Sequence, residues 1–300
     1  MPEDVRDRTH LDHADVAGLN FIRSACPYVF RRHYRAGLRS HIMEILDPEA
    51  VEREKKGLLL NGLRWYPRAR PNKVLRIFRT RFRSLEQVEE ELKRVKVIQR
   101  YLLPDAIADS QEFIVTYTVE GREELLLCGL QEYVRGEILE PWSPLGAAHL
   151  ELILNRMGPE AASVWTNGGW VHQVRHKAQA FVRRIKKMIL EANVVPDLAG
   201  VGNLILTAHG DIKLVDINNI SKVSFHPFIY VDDRGYPVCD KSIQALALLE
   251  KKLMTRPLEG KDFIYKTFLA PQRMKEVEDM ERAFHLAPQN TPSYPGHPFS

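Results

Sequence analysis

Between Ser84 and Leu103 apolar residues recur at helical spacing, as Leu85, Val88, Leu92, Val95, Ile98 and Leu102, which predicts an amphipathic helix. Ser84 and Gln87 form a capping-box pair at its start, and Pro104 ends it. Just upstream, "KVLRIF" reads as a strand on which Val74, Arg76 and Phe78 share a face. Downstream, "EFIVTYTV" and "ELLLCGL" flank the turn-like "EGRE" and predict a hairpin over residues 112 to 130, after which "QEYVRG" leaves the sheet. Helices are expected over "SPLGAAHLELILNRM" and "HQVRHKAQAFVRRIKKMILEAN", the second with Val174, Ala178, Phe181, Ile185, Met188 and Ile189 inward. A second hairpin joins "NLIL" to "IKLVD" through the Gly-Asp turn of "TAHGD". "CDKSIQALALLEKKL" starts a helix after Asp240, and "PQRMKEVEDMERAFHL" is another. At the other end, residues 1 to 16 read as loosely ordered and residues 17 to 56 as mainly helical, with apolar and basic residues alternating in "RRHYRAGLRSHIMEIL". The Pro-rich "APQNTPSYPGHPFS" reads as a mobile tail, and no internal repeat is visible.

Composition narrows the class without naming a function. The chain has 300 residues, 44% hydrophobic and 27% charged, as expected of a globular chain and not of a disordered one; the mix of helices and hairpins makes the expected class α+β. No apolar run reaches the length of a spanning helix, and "MPEDVRDRTHLDHADV" is too acidic and polar for a secretory signal. Cys26, Cys128 and Cys239 are odd in number and in no metal-like spacing, which points to a reduced, cytoplasmic protein. The net charge of +4 is concentrated in "RSACPYVFRRHYRAGLRSH" and "RWYPRARPNKVLRIFRTRFR". Such basic, aromatic-interleaved stretches either form a solvated face or hold an anionic partner, nucleic acid or lipid.

Candidate chemistry lies in "VVPDLAGVGNLILTAHGDIKLVDINN". Folded as a hairpin, it leaves Asn203 and Asp216 at the same end of the ribbon, with Asp197 just upstream in a Gly-containing loop. These are oxygen ligands of the kind a hard cation such as Mg²⁺ takes. In the earlier helix, Glu91 falls on the buried stripe by spacing. A carboxylate there needs a cationic partner, and Arg76 on the preceding strand could supply it; the alternative is a solvent-facing Glu beside its neighbours in "EEE". His209 reads as a turn residue, His172 and His176 as exposed helix positions, and Trp142, Trp165 and Trp170 as packing residues.

Taken together, these elements resemble the protein-kinase-like superfamily over about residues 57 to 253. The resemblance implies a two-lobed fold: a basic helical extension over 1–56, a small β-rich lobe with one helix over 57–134, a reduced helical large lobe over 135–284 and a flexible tail over 285–300. It further implies ATP and Mg²⁺ as cofactors, Asp197 as catalytic-loop base, and Asn203 and Asp216 as metal ligands. Arg76 stands where the family has its phosphate-binding Lys, with Glu91 as its helical partner. In "LQEYVRG", Gln131 takes the gatekeeper position while Glu132 and Val134 offer backbone groups to adenine. The chain departs from the pattern in several places. Arg76 replaces Lys, Val195-Pro196 replaces His-Arg, and Asn203 lies six residues after Asp197 instead of five. Ile217-Asn218 replaces Phe-Gly, and only Gly57 and Gly62 are candidates for a phosphate loop. With little room for an activation loop, the chain is more similar to bacterial sugar, lipopolysaccharide-core or aminoglycoside kinases than to peptide kinases. The expected function is phosphoryl transfer to a hydroxyl acceptor, with residues 143 to 170 and 220 to 240 as the substrate wall. A pseudokinase scaffold and a polyanion or membrane-surface binder are the alternatives.

Overall fold

The structure, a computed structural model, describes residues 4–23, 27–34, 39–165, 168–254 and 262–286. The N-terminal stretch expected to be loose is packed. Asp12 and Asp15 form a reciprocal capping box on α1 (His13–Ala17), and Val5, Leu11, Val16 and Leu19 are buried. Arg6, almost wholly buried, is held by Asp4 and Glu124. A carboxylate pair around one guanidinium lets this polar sequence lie on an apolar surface.

The helix expected over residues 17 to 56 gives way, among the described residues, to two strands and one short helix, so the expected helical extension is of mixed structure. β1 (Val29–Arg32) and β2 (Ser40–Leu46) pair antiparallel, and among the described residues of this range only α2 (Pro48–Lys56), capped by the Asp47 carboxylate on the Ala50 N–H, is helical beyond α1. The alternation of apolar and basic residues there has the two-residue period of a strand. Glu44 obscures that period: in the middle of β2, it is buried and bonded to Arg31 Nε and His33 Nδ1, each at 2.9 Å.

After α2 a small ribbon, β3 (Leu58–Leu60) and β4 (Leu63–Trp65), pairs only with itself among the described strands. Next come β5 (Lys73–Phe78), α3 (Leu85–Leu102), β6 (Ser110–Val119) and β7 (Arg122–Glu132). Together they complete a five-stranded antiparallel sheet in the order β1-β2-β5-β7-β6. Its two faces follow from the period of two along β5. Leu75 and Ile77 pack with the N-terminal segment, while Phe78 packs with Val88 of α3 and Leu127. In α3 the stripe is buried at Val88, Val95, Ile98 and Leu102, whereas Leu85 is exposed. Ser84 makes no side-chain cap bond; Gln87 instead accepts from the Arg83 N–H. The β6–β7 turn uses Glu120 and Gly121, both at positive φ, the conformation a two-residue hairpin favours.

The second half is helical with short strand pairs. It contains β8 (Glu137–Ile138), α4 (Ala147–Arg156), α5 (Pro159–Ser163), α6 (Gly169–Ala192), β9 (Val194–Pro196), β10 (Leu204–Leu206) and β11 (Ile212–Leu214). These are followed by β12 (Ile220–Lys222), α7 (Val238–Leu253), α8 (Phe263–Phe268) and α9 (Pro271–Leu286). All six inward residues expected on α6 are buried, with Trp170, Val171 and Val182 added. They form the largest apolar cluster with α7 and the C-terminal half of α3. Residues 287–300 of the expected tail lie outside the described residues, and His285 and Leu286 still belong to α9. No helix among the described residues is long and apolar enough to cross a membrane.

Gly136 joins the sheet to this second half at a place with no room for a side chain. A Cβ there would lie 2.2 Å from the Leu206 carbonyl oxygen on β10, to which β8 pairs. Gly136→Ala must push β8 off β10, and a destabilisation of about 1–3 kcal/mol is expected, read as a lower urea midpoint with unchanged slope.

Candidate functional site

β10 and β11 form the expected hairpin, with Leu204 opposite Leu214. The ribbon continues one step further, where the Val215 N–H donates to the Asn203 carbonyl at 2.9 Å. Asn203 and Asp216 therefore emerge at the same end. The sheet is stapled to this end. The Gln131 amide donates to the Val215 carbonyl at 2.8 Å, and Lys213 binds both Glu132 carboxylate oxygens at 2.8 and 2.7 Å. Residues 106 and 108 exchange backbone bonds with Leu214 on the other side.

Asp197 is held on both carboxylate oxygens. Oδ1 accepts the Ala199 and Gly200 N–H groups at 3.0 and 2.9 Å, and Oδ2 accepts from the Asn219 amide at 2.9 Å. Burial pushes its carboxyl up from the usual range, and Asp216 pushes it the same way by repulsion, against the three hydrogen bonds. The Asn203 amide nitrogen donates to the Asp197 carbonyl at 2.9 Å. Gly200 lies beneath this contact: a Cβ there would come 2.4 Å from Asn203 Nδ2 and 2.9 Å from Asp197 Oδ2.

Arg76 projects from β5 to the same place. Its Nη2 lies 3.4 Å from Asp216 Oδ1, and its guanidinium sits 5.1 Å from the centre of the Phe78 ring. The Arg76 side chain is 6% exposed, that of Asp216 37%. Nε and Nη1 of Arg76 are buried with no hydrogen-bond partner. Two unpartnered donors on a buried cation are costly in a native interior; the third nitrogen, Nη2, is the one that faces the half-open Asp216 carboxylate.

The inferred Arg76–Glu91 ion pair does not form. Glu91 is 3.7 Å from Arg94, one turn further along α3, while Arg76 turns to Asp216. Burial pushes the Glu91 carboxyl up, with Arg94 and, more weakly, Arg39 and Arg76 opposing. A raised carboxyl stabilises the fold below its unfolded pKa and loses that contribution as pH rises through the folded value. Glu91→Gln, which removes this half-buried charge, is expected to raise Tm at pH 7 and to leave it nearly unchanged near pH 4. Calorimetric scans at the two pH values check this.

The remaining expected site residues are placed as follows. Gln131 is buried at the end of β7; the Glu132 N–H donates to the Asp109 carbonyl at 2.7 Å; Val134 lies half-buried between β7 and β8. Gly57 precedes the β3–β4 ribbon and Gly62 lies in its turn; among the described strands this ribbon pairs with no strand of the five-stranded sheet. His209 is exposed, and the Trp165 indole donates to the Ala208 carbonyl. Cys128 and Cys239 are free and buried, their thiols pushed up to about 12 by burial; Cys26 lies outside the described residues.

Asn219 and Gly200 do not stand out in the sequence as site residues. The pairing of β9 with β12 puts Ile220 opposite Pro196, which brings Asn219 to Asp197. "INN" directly after Asp216 was the available signal. Among the described residues no group of three or more His, Cys, Asp or Glu is arranged to hold a metal ion; the oxygens on offer are one Asp216 carboxylate and the Asn203 amide. The sequence matches no protein-family model and no curated protein.

Proposed function

We propose that this chain is an ATP- and Mg²⁺-dependent phosphotransferase with a two-lobed, protein-kinase-like architecture. Its acceptor would be a hydroxyl on a sugar, lipid or other small molecule in preference to a peptide. The observation that carries the reading is the buried Arg76 guanidinium, with two unpartnered donors, against the half-open Asp216 carboxylate at the end of the β10–β11 ribbon. Unpartnered donors on a buried cation fit the oxygens of a phosphate group. Asp216 and the Asn203 amide oxygen would hold Mg²⁺, which usually completes its shell with water and phosphate. Bound Mg²⁺–ATP would supply the transferable phosphoryl group.

The chain's own residues have separate tasks in this reading. Arg76 neutralises phosphate charge. Asp197, fixed by Ala199, Gly200 and Asn219, orients an acceptor hydroxyl and takes its proton. Its raised carboxyl makes it a better base than an ordinary Asp. The Glu132 and Val134 backbone would meet the adenine beside the buried Gln131. Most of the acceleration would come from positioning and charge. A cytoplasmic setting suits the two free, buried thiols.

One observation favours a second reading, a pseudokinase that binds nucleotide without turnover. Arg76 already pairs with the carboxylate that would bind the metal, so Mg²⁺ must displace a cation. Calorimetric titration of ATP with and without Mg²⁺ separates the two. Mg²⁺-dependent binding supports the phosphotransferase. Binding indifferent to Mg²⁺ supports the pseudokinase, and no binding at millimolar ATP overturns both.

A further inference from the structure

We propose that the β3–β4 ribbon is a membrane-surface anchor that seats in the interface of an anionic bilayer. All six strand residues of the ribbon are exposed, Leu59 and Leu63 by 67% and 64%. Residues directly opposite share a face. The pairs Leu58–Trp65 and Leu60–Leu63 therefore make one face wholly apolar, while Leu59 sits beside Arg64 on the other. The ribbon is built and not frayed. The Arg64 guanidinium donates to the Lys56 carbonyl at 2.7 Å, and Gly57, at φ 71°, leaves room for Arg64 and Tyr66 to pack against the end of α2. An ordered, apolar, outward ribbon is a surface that asks for a partner.

Charge selects the occupant. From Gly57 to Lys73 the chain has four basic residues and no acidic one: Arg64, Arg68, Arg70 and Lys73, all exposed. None of the four makes an ion pair with a described residue. This contrasts with Arg31, Arg39 and Arg81 in the same basic stretches, which are tied to Glu44 and Glu54, to Asp233, and to Asp4 and Asp7. A second copy would bring like charge to like charge, which disfavours self-association through this face. An anionic bilayer meets both requirements: headgroups for the arginines, and acyl chains for leucines on both faces of the ribbon, where a protein groove covers one. Trp65 and Tyr66 are the residues that favour the boundary between them. The unpaired edges of the ribbon and its Asn61-Gly62 turn limit the depth, because open strand edges need water or headgroups. The inference is independent of phosphoryl transfer.

The full chain should be sedimented with vesicles of phosphatidylcholine alone and with vesicles containing 30% phosphatidylglycerol. Partition into the anionic vesicles alone is expected, falling on the order of tenfold or more in Leu59→Glu/Leu63→Glu and in Arg68→Glu/Arg70→Glu. All four positions are exposed, so circular dichroism should show unchanged folding. Brominated lipid should quench tryptophan fluorescence in the native chain and much less in Trp65→Phe. Failure to sediment with anionic vesicles overturns the proposal. So does undiminished binding of the leucine variant, which would place the contact elsewhere. A native dimer that the leucine variant dissociates, without lipid binding, would overturn it in favour of a second copy.

Discussion

Asp216→Asn is expected to abolish Mg²⁺-dependent ATP binding and to lower any phosphotransferase turnover by at least about a hundredfold, the scale of removing one preorganised charge from such a site. The same substitution should cost only modest stability. Arg76 is buried, but the Asp216 side chain is 37% exposed, their contact is long at 3.4 Å, and Asn keeps an oxygen to accept from the guanidinium, so a loss of about 1–2 kcal/mol is expected. The combination distinguishes a site residue from a structural one. Asn keeps the size and one acceptor oxygen, so a loss of binding must come from the charge. A second effect has a fixed sign. Because Asp216 repels the Asp197 carboxylate, its neutralisation lowers the Asp197 pKa, and the acid limb of residual activity should move to lower pH. Calorimetry in ATP and Mg²⁺, thermal melting and a pH–rate profile on one preparation test all three statements. Native-like Mg²⁺-dependent binding in the variant would remove Asp216 from the metal site.

The largest stability effect is expected at a second ion pair, one buried on both sides. Arg273 on α9 forms a two-pronged ion pair with Asp240 on α7, Nε to Oδ1 at 2.5 Å and Nη2 to Oδ2 at 3.2 Å. Its Nη1 donates to the His226 carbonyl at 2.9 Å, and its guanidinium lies 4.4 Å from the Phe268 ring centre. Asp240 is 1% exposed and Arg273 8%. Arg273→Met leaves a buried carboxylate without its cation, which costs about 3–5 kcal/mol and should lower Tm by roughly 5–15 °C. Adding Asp240→Leu should recover much of the loss, since replacing both partners removes the stranded charge. If the single variant loses less than about 1 kcal/mol, water must reach Asp240. Because the same side chain holds the chain at His226, within the expected substrate wall, turnover should fall with it even at temperatures where the variant is folded.

The parts legible in the sequence are those set by neighbours along the chain. The α3 stripe, the β6–β7 turn and the β10–β11 ribbon depend on local periodicity and turn chemistry, so the order of residues alone puts Asn203 and Asp216 at one ribbon end. The parts that escape depend on distant partners. β2 looks unlike a strand because Glu44 is buried inside it, and it is tolerated there only through Arg31 and His33. Arg76 carries a charge into a buried setting and Glu91 into a half-buried one, yet they are not a pair. Asp216, 140 residues after Arg76, is the closer partner, and Arg94 answers Glu91 from its own helix. Asn219 needs the β9–β12 register, which no local pattern specifies.

The packing of residues 5–19 on the outer face of the sheet has a consequence for synthesis. The Val5 N–H donates to the Tyr117 hydroxyl, and Leu11, Val16 and Leu19 share their cluster with Tyr117, Val119 and Leu126. On the ribosome these residues emerge about a hundred positions ahead of β6 and β7, the last strands they cover. At roughly 5–20 residues per second the wait lasts on the order of 5–20 s, during which four aliphatic side chains lack a finished sheet to pack on. Shortening the chain from this end would leave the opposite problem for good: a finished sheet with one oily face bare, and a protein that makes inclusion bodies though every strand is intact.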